Sequence, residues 1–403
     1  MTGLWTSGEG LPRDAYDEIM DRVFEWAVAQ KSVVQWDRTH ARELFEELLR
    51  HPPARQHLLV SNSVRFRSWA LCEMLLEESH AAGFEEPARS TELARLAVAV
   101  AEALPDEQSG ESEVRNGLRA RAWAQLGNAH RIGSDHLEAD RAFAQVALGC
   151  AHGRIGLLDL ARVLDLEASL RRDQRRFAEA ARLLDRVILI YQRLGQRNLL
   201  GRVLKQKSMV CGEAGDPEAE MALLRRALDL LDPKEEPRTF LAARHNLITA
   251  LNQSGRSREA FSLLFHTRPL YLQLGGRMNL LRMRWLEGLV AQGLERREQA
   301  EVAYREVRQA FIELGLDYDA ALASLDLASL LVLQGRTADL RRLAEEMLAV
   351  FTSREIHREA LAALLFFCHA VRTEEVREEL VREVASFLKR ARNQPDLRFT
   401  PRA

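Results

Sequence analysis

The sequence predicts an all-α fold, a solenoid of stacked antiparallel helix hairpins. Three recurrences carry this expectation. Gly215, Gly255 and Gly335 share one position in a 40-residue cycle, and Gly195, Gly275 and Gly315 share another. Tyr191, Tyr271, Phe311 and Phe351 keep the same beat. So do Ala180, Ala260 and Ala300. A period of this length marks a repeat array, in which each unit buries its apolar face only against its neighbours. Without the repeats, 403 residues would suggest two or three globular domains.

Residues 1–56 read as an N-terminal helical segment, with helices from Asp14 to Gln30 and from Asp37 to Arg50, the second stopped by Pro52 and Pro53. Residues 57–115 hold a longer hairpin, from about His57 to His80 and from about Ala88 to Leu104. Gly83 and Pro87 mark its turn, and an acidic loop, PDEQSGESE, follows at 105–113. Six repeats occupy 116–356. Their first helices fall near 117–132, 157–172, 198–213, 238–253, 278–293 and 318–333. Their second helices fall near 136–151, 176–194, 217–231, 257–274, 297–314 and 337–352. Residues 357–403 supply a final hairpin and tail, whose last helix carries Arg377, Glu378, Glu379 and Arg382, as suits a cap with one face in water.

Packing explains the recurring residues. A small side chain at Gly127, Ala168, Ser208 or Gly288 lets the second helix approach the first. Ala139, Ala180, Ala260 and Ala300 do the same from the other side. Phe143, Leu184, Leu224, Leu264 and Tyr304 then fill the space beyond the contact. Gly215, Gly255 and Gly335 end first helices in the left-handed conformation.

In the first repeat Trp123, Leu126, Gly127 and His130 are followed by Ala139 and Phe143, the order W-x-x-L-G-x-x-H and then A-x-x-x-F. Here the chain resembles the tetratricopeptide repeat superfamily, with His130 where a Tyr is usual, and the resemblance covers roughly residues 116–372. A HEAT-like array of about 40–47 residues per repeat is the structural rival, and the residue order favours the tetratricopeptide side. The resemblance implies a right-handed superhelix whose first helices line a concave face, commonly occupied by an extended peptide. It carries that face onto Arg121 and Asn128, Arg162, Arg202 and Lys205, His245, Asn246 and Asn252, and Arg282. Asp165, Ser169, Arg172, Gln206 and Met209 are further positions of the same kind. Amides can bond both N–H and C=O of an extended backbone, and cationic groups hold carboxylates. Lys205, Asn246 and Arg282 also match three of five positions of the family's carboxylate clamp. Met209 and Leu286 depart from the other two, which leaves that partner class open. Repeat six offers Leu322, Leu325, Asp326, Ser329 and Val332, a set suited to being covered by the final hairpin.

Charge and motifs narrow the function. A formal net charge of −2 gives no bulk attraction to nucleic acid or an anionic membrane. A basic stripe of Arg121, Arg131, Arg162, Arg172 and Arg202 is interrupted by Asp165, Asp173 and Glu213, so nucleic acid is not an expected partner. Five lysines against 52 arginines reflect a coding bias spread along the chain rather than a site. The four cysteines form no disulfide framework or zinc spacing, and no metal or cofactor motif exists. His152-Gly153 with Cys211 has a His-Gly…Cys protease order, but the two fall in different repeats with no strand pattern beside either. There is no leader pattern or apolar run long enough to span a membrane, and the expected location is the cytoplasm. The expectation is a non-catalytic scaffold that binds an extended protein or peptide segment, acidic segments included. The alternative is a sensory or regulatory module similar to the helical-repeat parts of bacterial peptide-responsive regulators. A third possibility places the interaction on the N-terminal hairpins, where Trp5, Trp26, Trp36 and Trp69 are either anchors or core.

Overall fold

The computed structural model describes residues 40–83, 85–104, 112–152, 155–352, 358–391 and 397–400. The expected helix Asp14–Gln30 lies outside them, as do residues 105–111 of the acidic loop and Trp5, Trp26 and Trp36; the last two residues of that loop, Ser112 and Glu113, instead open a helix. All regular structure among the described residues is helical. The contacts divide the chain into two compact units, one running to Gly133 and including Glu138–Gly156, the other comprising Leu157–Ala403 with Ser134–Leu137.

In the first unit α1 spans 40–49, α2 Pro53–Asn62, α3 Trp69–Ala82, α4 Pro87–Ala103, α5 Ser112–Ile132 and α6 His136–His152. Sequence reading expects one helix from His57 to His80, whereas the chain breaks there into α2, a 3₁₀ turn at Val64–Phe66, and α3. Ser68 explains the restart. Its extended backbone and side-chain oxygen cap the new helix, accepting the Leu71 N–H at 3.2 Å. Leu48, Leu71, Leu75, Leu93, Ala97 and Leu118 form the core of this unit, and Trp69 is partly buried against it. The hairpin α3/α4 therefore stacks on α5 in the manner of a repeat, although its sequence lacks the motif. Ser79 and Ser90 join its two helices, each hydroxyl donating to the other residue's carbonyl, at 2.9 and 2.8 Å.

In the second unit the helix pairs are α7 Leu157–Asp173 with α8 Phe177–Arg193, α9 Arg197–Ala214 with α10 Pro217–Leu230, and α11 Pro237–Gln253 with α12 Ser257–Leu274. They continue as α13 Arg277–Gly293 with α14 Arg297–Glu313, α15 Asp317–Leu333 with α16 Thr337–Thr352, and α17 Arg358–Arg372 with α18 Glu378–Ala391. From α9 onward, each first helix is sandwiched between its own second helix and that of the preceding pair.

The turn after each first helix shows how the period is encoded. Gly215 has φ +91°, Gly255 +75° and Gly335 +66°. Arg175 and Glu295, one cycle away, hold the same left-handed backbone at +60° without glycine. Glycine marks this position in sequence because side chains there are strained, but neighbouring helices enforce the turn even where no glycine is present.

Candidate functional site

The first helices α7 and α9 show two distinct stripes. One is apolar and meets second helices: Ala161, Leu164 and Ala168 in α7, and Val203, Leu204 and Ser208 in α9 are all buried. The other joins successive first helices through polar bonds. Gln206 Nε2 donates to the Ser169 hydroxyl at 2.9 Å and to the Asp165 main-chain carbonyl at 3.2 Å. Asn252 Nδ2 donates to the Leu289 carbonyl at 3.0 Å, and Trp285 Nε1 to Asp326 Oδ2 at 2.7 Å. These bonds run α7–α9, α11–α13 and α13–α15. They identify the face formed by first helices, the one the tetratricopeptide resemblance implies for a ligand.

One cycle position organises this face. It is occupied by Asp165, Lys205, His245, Trp285 and Leu325. The aromatic residue 26 positions later in the same repeat returns to it. Tyr271 OH lies 2.7 Å from His245 Nδ1, and the Phe311 ring meets Trp285 edge to face at 5.6 Å. Tyr191 feels the Asp165 charge. Tyr191, Tyr271 and Phe311 thus lie beneath the first-helix face. Sequence reading detects their beat but not the residue they support, because that pairing joins opposite ends of a hairpin.

The nine sequence-selected residues fall into two groups. Six are engaged within the fold. Arg121 pairs with Glu73 at 3.1 Å, and buried Asn128 accepts from the Arg131 guanidinium at 2.9 and 3.1 Å, both in the first unit. In the second unit Arg162 bonds Asp159 at 3.3 Å, and Arg202 grips Glu236 with one nitrogen 2.6 and 2.7 Å from its two oxygens. His245 meets Tyr271, and Asn252 bridges to α13. The side chains of the other three, Lys205, Asn246 and Arg282, make no hydrogen bond or ion pair with a described residue. They lie on the successive first helices α9, α11 and α13.

Electrostatics sharpen the picture. Burial pushes the His245 pKa down to about 4, with Arg282 adding to the effect, so the imidazole is neutral at pH 7. Burial also holds Lys205 below the usual lysine value. Arg172 pushes the same way and Asp165 opposes it. Asp165 itself is pushed up to about 6 by burial, against the pull of Lys205, Arg202 and the Gln206 amide. Its Oδ1 is shielded from solvent and has no hydrogen-bond partner among the described residues.

Repeat six is closed, as its composition suggests. Leu322, Leu325, Leu327 and Leu331 of α15 share one core with Val381, Val384, Phe387 and Leu388 of α18. Asp326 is raised by burial and faces the Lys389 charge from that helix. The open part of the first-helix face in this unit therefore ends at α13.

The protease order finds no support. Cys211 lies on α9, and burial raises its thiol pKa, the opposite of what activates a nucleophile. The His152 side chain lies outside the described residues. Among the described residues no group of three or more His, Cys, Asp or Glu is placed to hold a metal. No described helix is long and apolar enough to cross a membrane.

No family model matches this chain, and no curated protein does. Solved structures do share its fold. A Rap protein complexed with Competence and Sporulation Factor superposes with a TM-score of 0.56 at 11% identity, over 80% of this chain and 87% of the other. The apo form of RapI gives 0.59 at 9% identity, over 79% and 86%. NprR in complex with its cognate peptide NprX gives 0.51 at 12% identity, over 79% and 92%. The fold is that of a tetratricopeptide-like helical-repeat solenoid.

Proposed function

We propose that the chain is a non-catalytic, cytoplasmic binding protein that holds an extended protein or peptide segment on its first-helix face between α7 and α13. The observation that carries this reading is the pattern of commitment along that face. Most polar residues are tied to neighbours, and the three left over sit on consecutive first helices. An amide at Asn246 can bond both N–H and C=O of an extended backbone, while Lys205 and Arg282 suit acidic groups on either side. Two solved structures of the same fold were obtained with a bound factor or peptide, which supports a peptide-responsive regulator over a passive scaffold.

The test is affinity selection from a pooled library of seven-residue peptides. Retained peptides should be enriched in Asp and Glu. Lys205→Gln and Arg282→Glu should each weaken their retention about tenfold, the loss of one charged hydrogen bond, without a matching fall in Tm. Equal retention by the variants would remove this face from consideration.

A further inference from the structure

One oxygen of the Asp165 carboxylate, Oδ1, is shielded from solvent without a hydrogen-bond partner among the described residues, and that placement needs a reason. An ionised group with an unpartnered, solvent-shielded oxygen is costly to keep. It does not sit among apolar side chains alone. Lys205 and Arg202 act on it from α9, Arg162 and Tyr191 share its surroundings from α7 and α8, and Arg172 acts on the adjacent Lys205. On its own helix, Ser169 and the Asp165 main-chain carbonyl are already taken by Gln206. Solvent-shielded Asp165 Oδ1 has no hydrogen-bond partner among the described residues, and the Lys205 ammonium has none either.

This pair selects its ligand by chemistry. Surrounding cations disfavour a second positive charge at Asp165, so the missing partner is a neutral donor. An anion alone would satisfy Lys205 and repel Asp165. A carboxylate with an N–H a few atoms away satisfies both. Resting on the reading that this face holds a peptide, we propose that Asp165 and Lys205 form a two-point subsite for a single ligand residue, Lys205 taking a carboxylate and Asp165 the main-chain N–H beside it. Because Oδ1 is shielded in the unliganded protein, a neighbouring side chain must move aside for the N–H to reach it. The carboxylate comes from an Asp or Glu side chain or from the peptide terminus, and in both cases the adjoining N–H is indispensable. Proline is rejected at that position. Because the acceptor is stronger when ionised, binding tightens as pH rises through about 6.

The tightest peptide from the pooled seven-residue library supplies the probe. It is resynthesised with single N-methyl groups at each position, with each acidic side chain as its amide, and with an amidated terminus. One N-methylation should weaken binding to the wild-type protein about tenfold. Against Asp165→Leu, or Asp165→Ala should the larger side chain disturb packing, the same N-methyl group should cost nothing further. One amide replacement, at a side chain or at the terminus, should lose its effect in Lys205→Gln and thereby name the source of the carboxylate. If the wild-type protein retains no peptide, the underlying reading fails and the subsite with it. If peptides are retained but every N-methyl group is tolerated, or costs as much against the Asp165 variants, the subsite alone is overturned.

Discussion

Gly288→Val is expected to destabilise the second unit by about 3 kcal/mol. A Cβ at this position would lie 2.9 and 3.0 Å from ring carbons of Tyr304 and 3.1 Å from Ala303 Cβ, closer than carbon atoms pack. Valine adds two further methyl groups. The Tyr304 ring has nowhere to go, being fully buried with its hydroxyl donating to Gln292 at 2.6 Å. Overpacking of this kind costs about 1–3 kcal/mol, and a displaced Tyr304 loses a buried hydrogen bond of about 1 kcal/mol. Helix propensity opposes the loss only by a few tenths. Urea unfolding checks the size, and Gly288→Val combined with Tyr304→Leu should cost less than the sum of the two single changes. A loss under about 1 kcal/mol would mean that the close approach of α13 and α14 is not what the glycine is for.

Asp165→Asn is expected to act in the opposite direction, making the unliganded protein more stable at pH 7 by about 3 kcal/mol. The carboxyl has a pKa near 3.8 when free and about 6 in the fold. Between those values the folded state binds more protons than the unfolded state, so this group favours folding below about 4 and opposes it once pH rises through 6. The wild-type penalty is thus complete at pH 7 and absent at pH 3.5. The advantage of asparagine should shrink across that window and vanish below it. His245 has the reverse dependence, since its pKa is about 4 in the fold against 6.5 free. The unfolded state takes up its proton first, and stability falls as pH drops from 6.5 towards 4. The two groups offset each other in the wild-type protein, so comparing variant and parent at each pH isolates Asp165. A variant less stable than the parent at pH 7 would show that the carboxylate is satisfied after all.

Much of this architecture is readable without coordinates, because the period is written in residues whose backbone or volume admits few substitutes. Helix ends across the second unit agree with the glycine and proline punctuation to within a residue or two in most pairs. What escapes is local. The break between α2 and α3 depends on a serine cap, a weak signal inside an apolar run, and the two helices of α3/α4 are tied together by Ser79 and Ser90 without the Trp/Leu/Gly order. For the candidate site, residue type identifies the face but not which members are free. Arg202 and Lys205 look equally available in the sequence. Glu236, which lies beyond the intervening helix, engages the first and not the second.

Site-specific photocrosslinking tests the central claim most directly. A benzoylphenylalanine at Met209, on the first-helix face of α9, is compared with one at Phe265, which is exposed on second helix α12. With the peptide selected by the wild-type protein, label should attach at position 209 and be lost when Arg282→Glu is added. Attachment at position 265 with none at 209 would contradict the account.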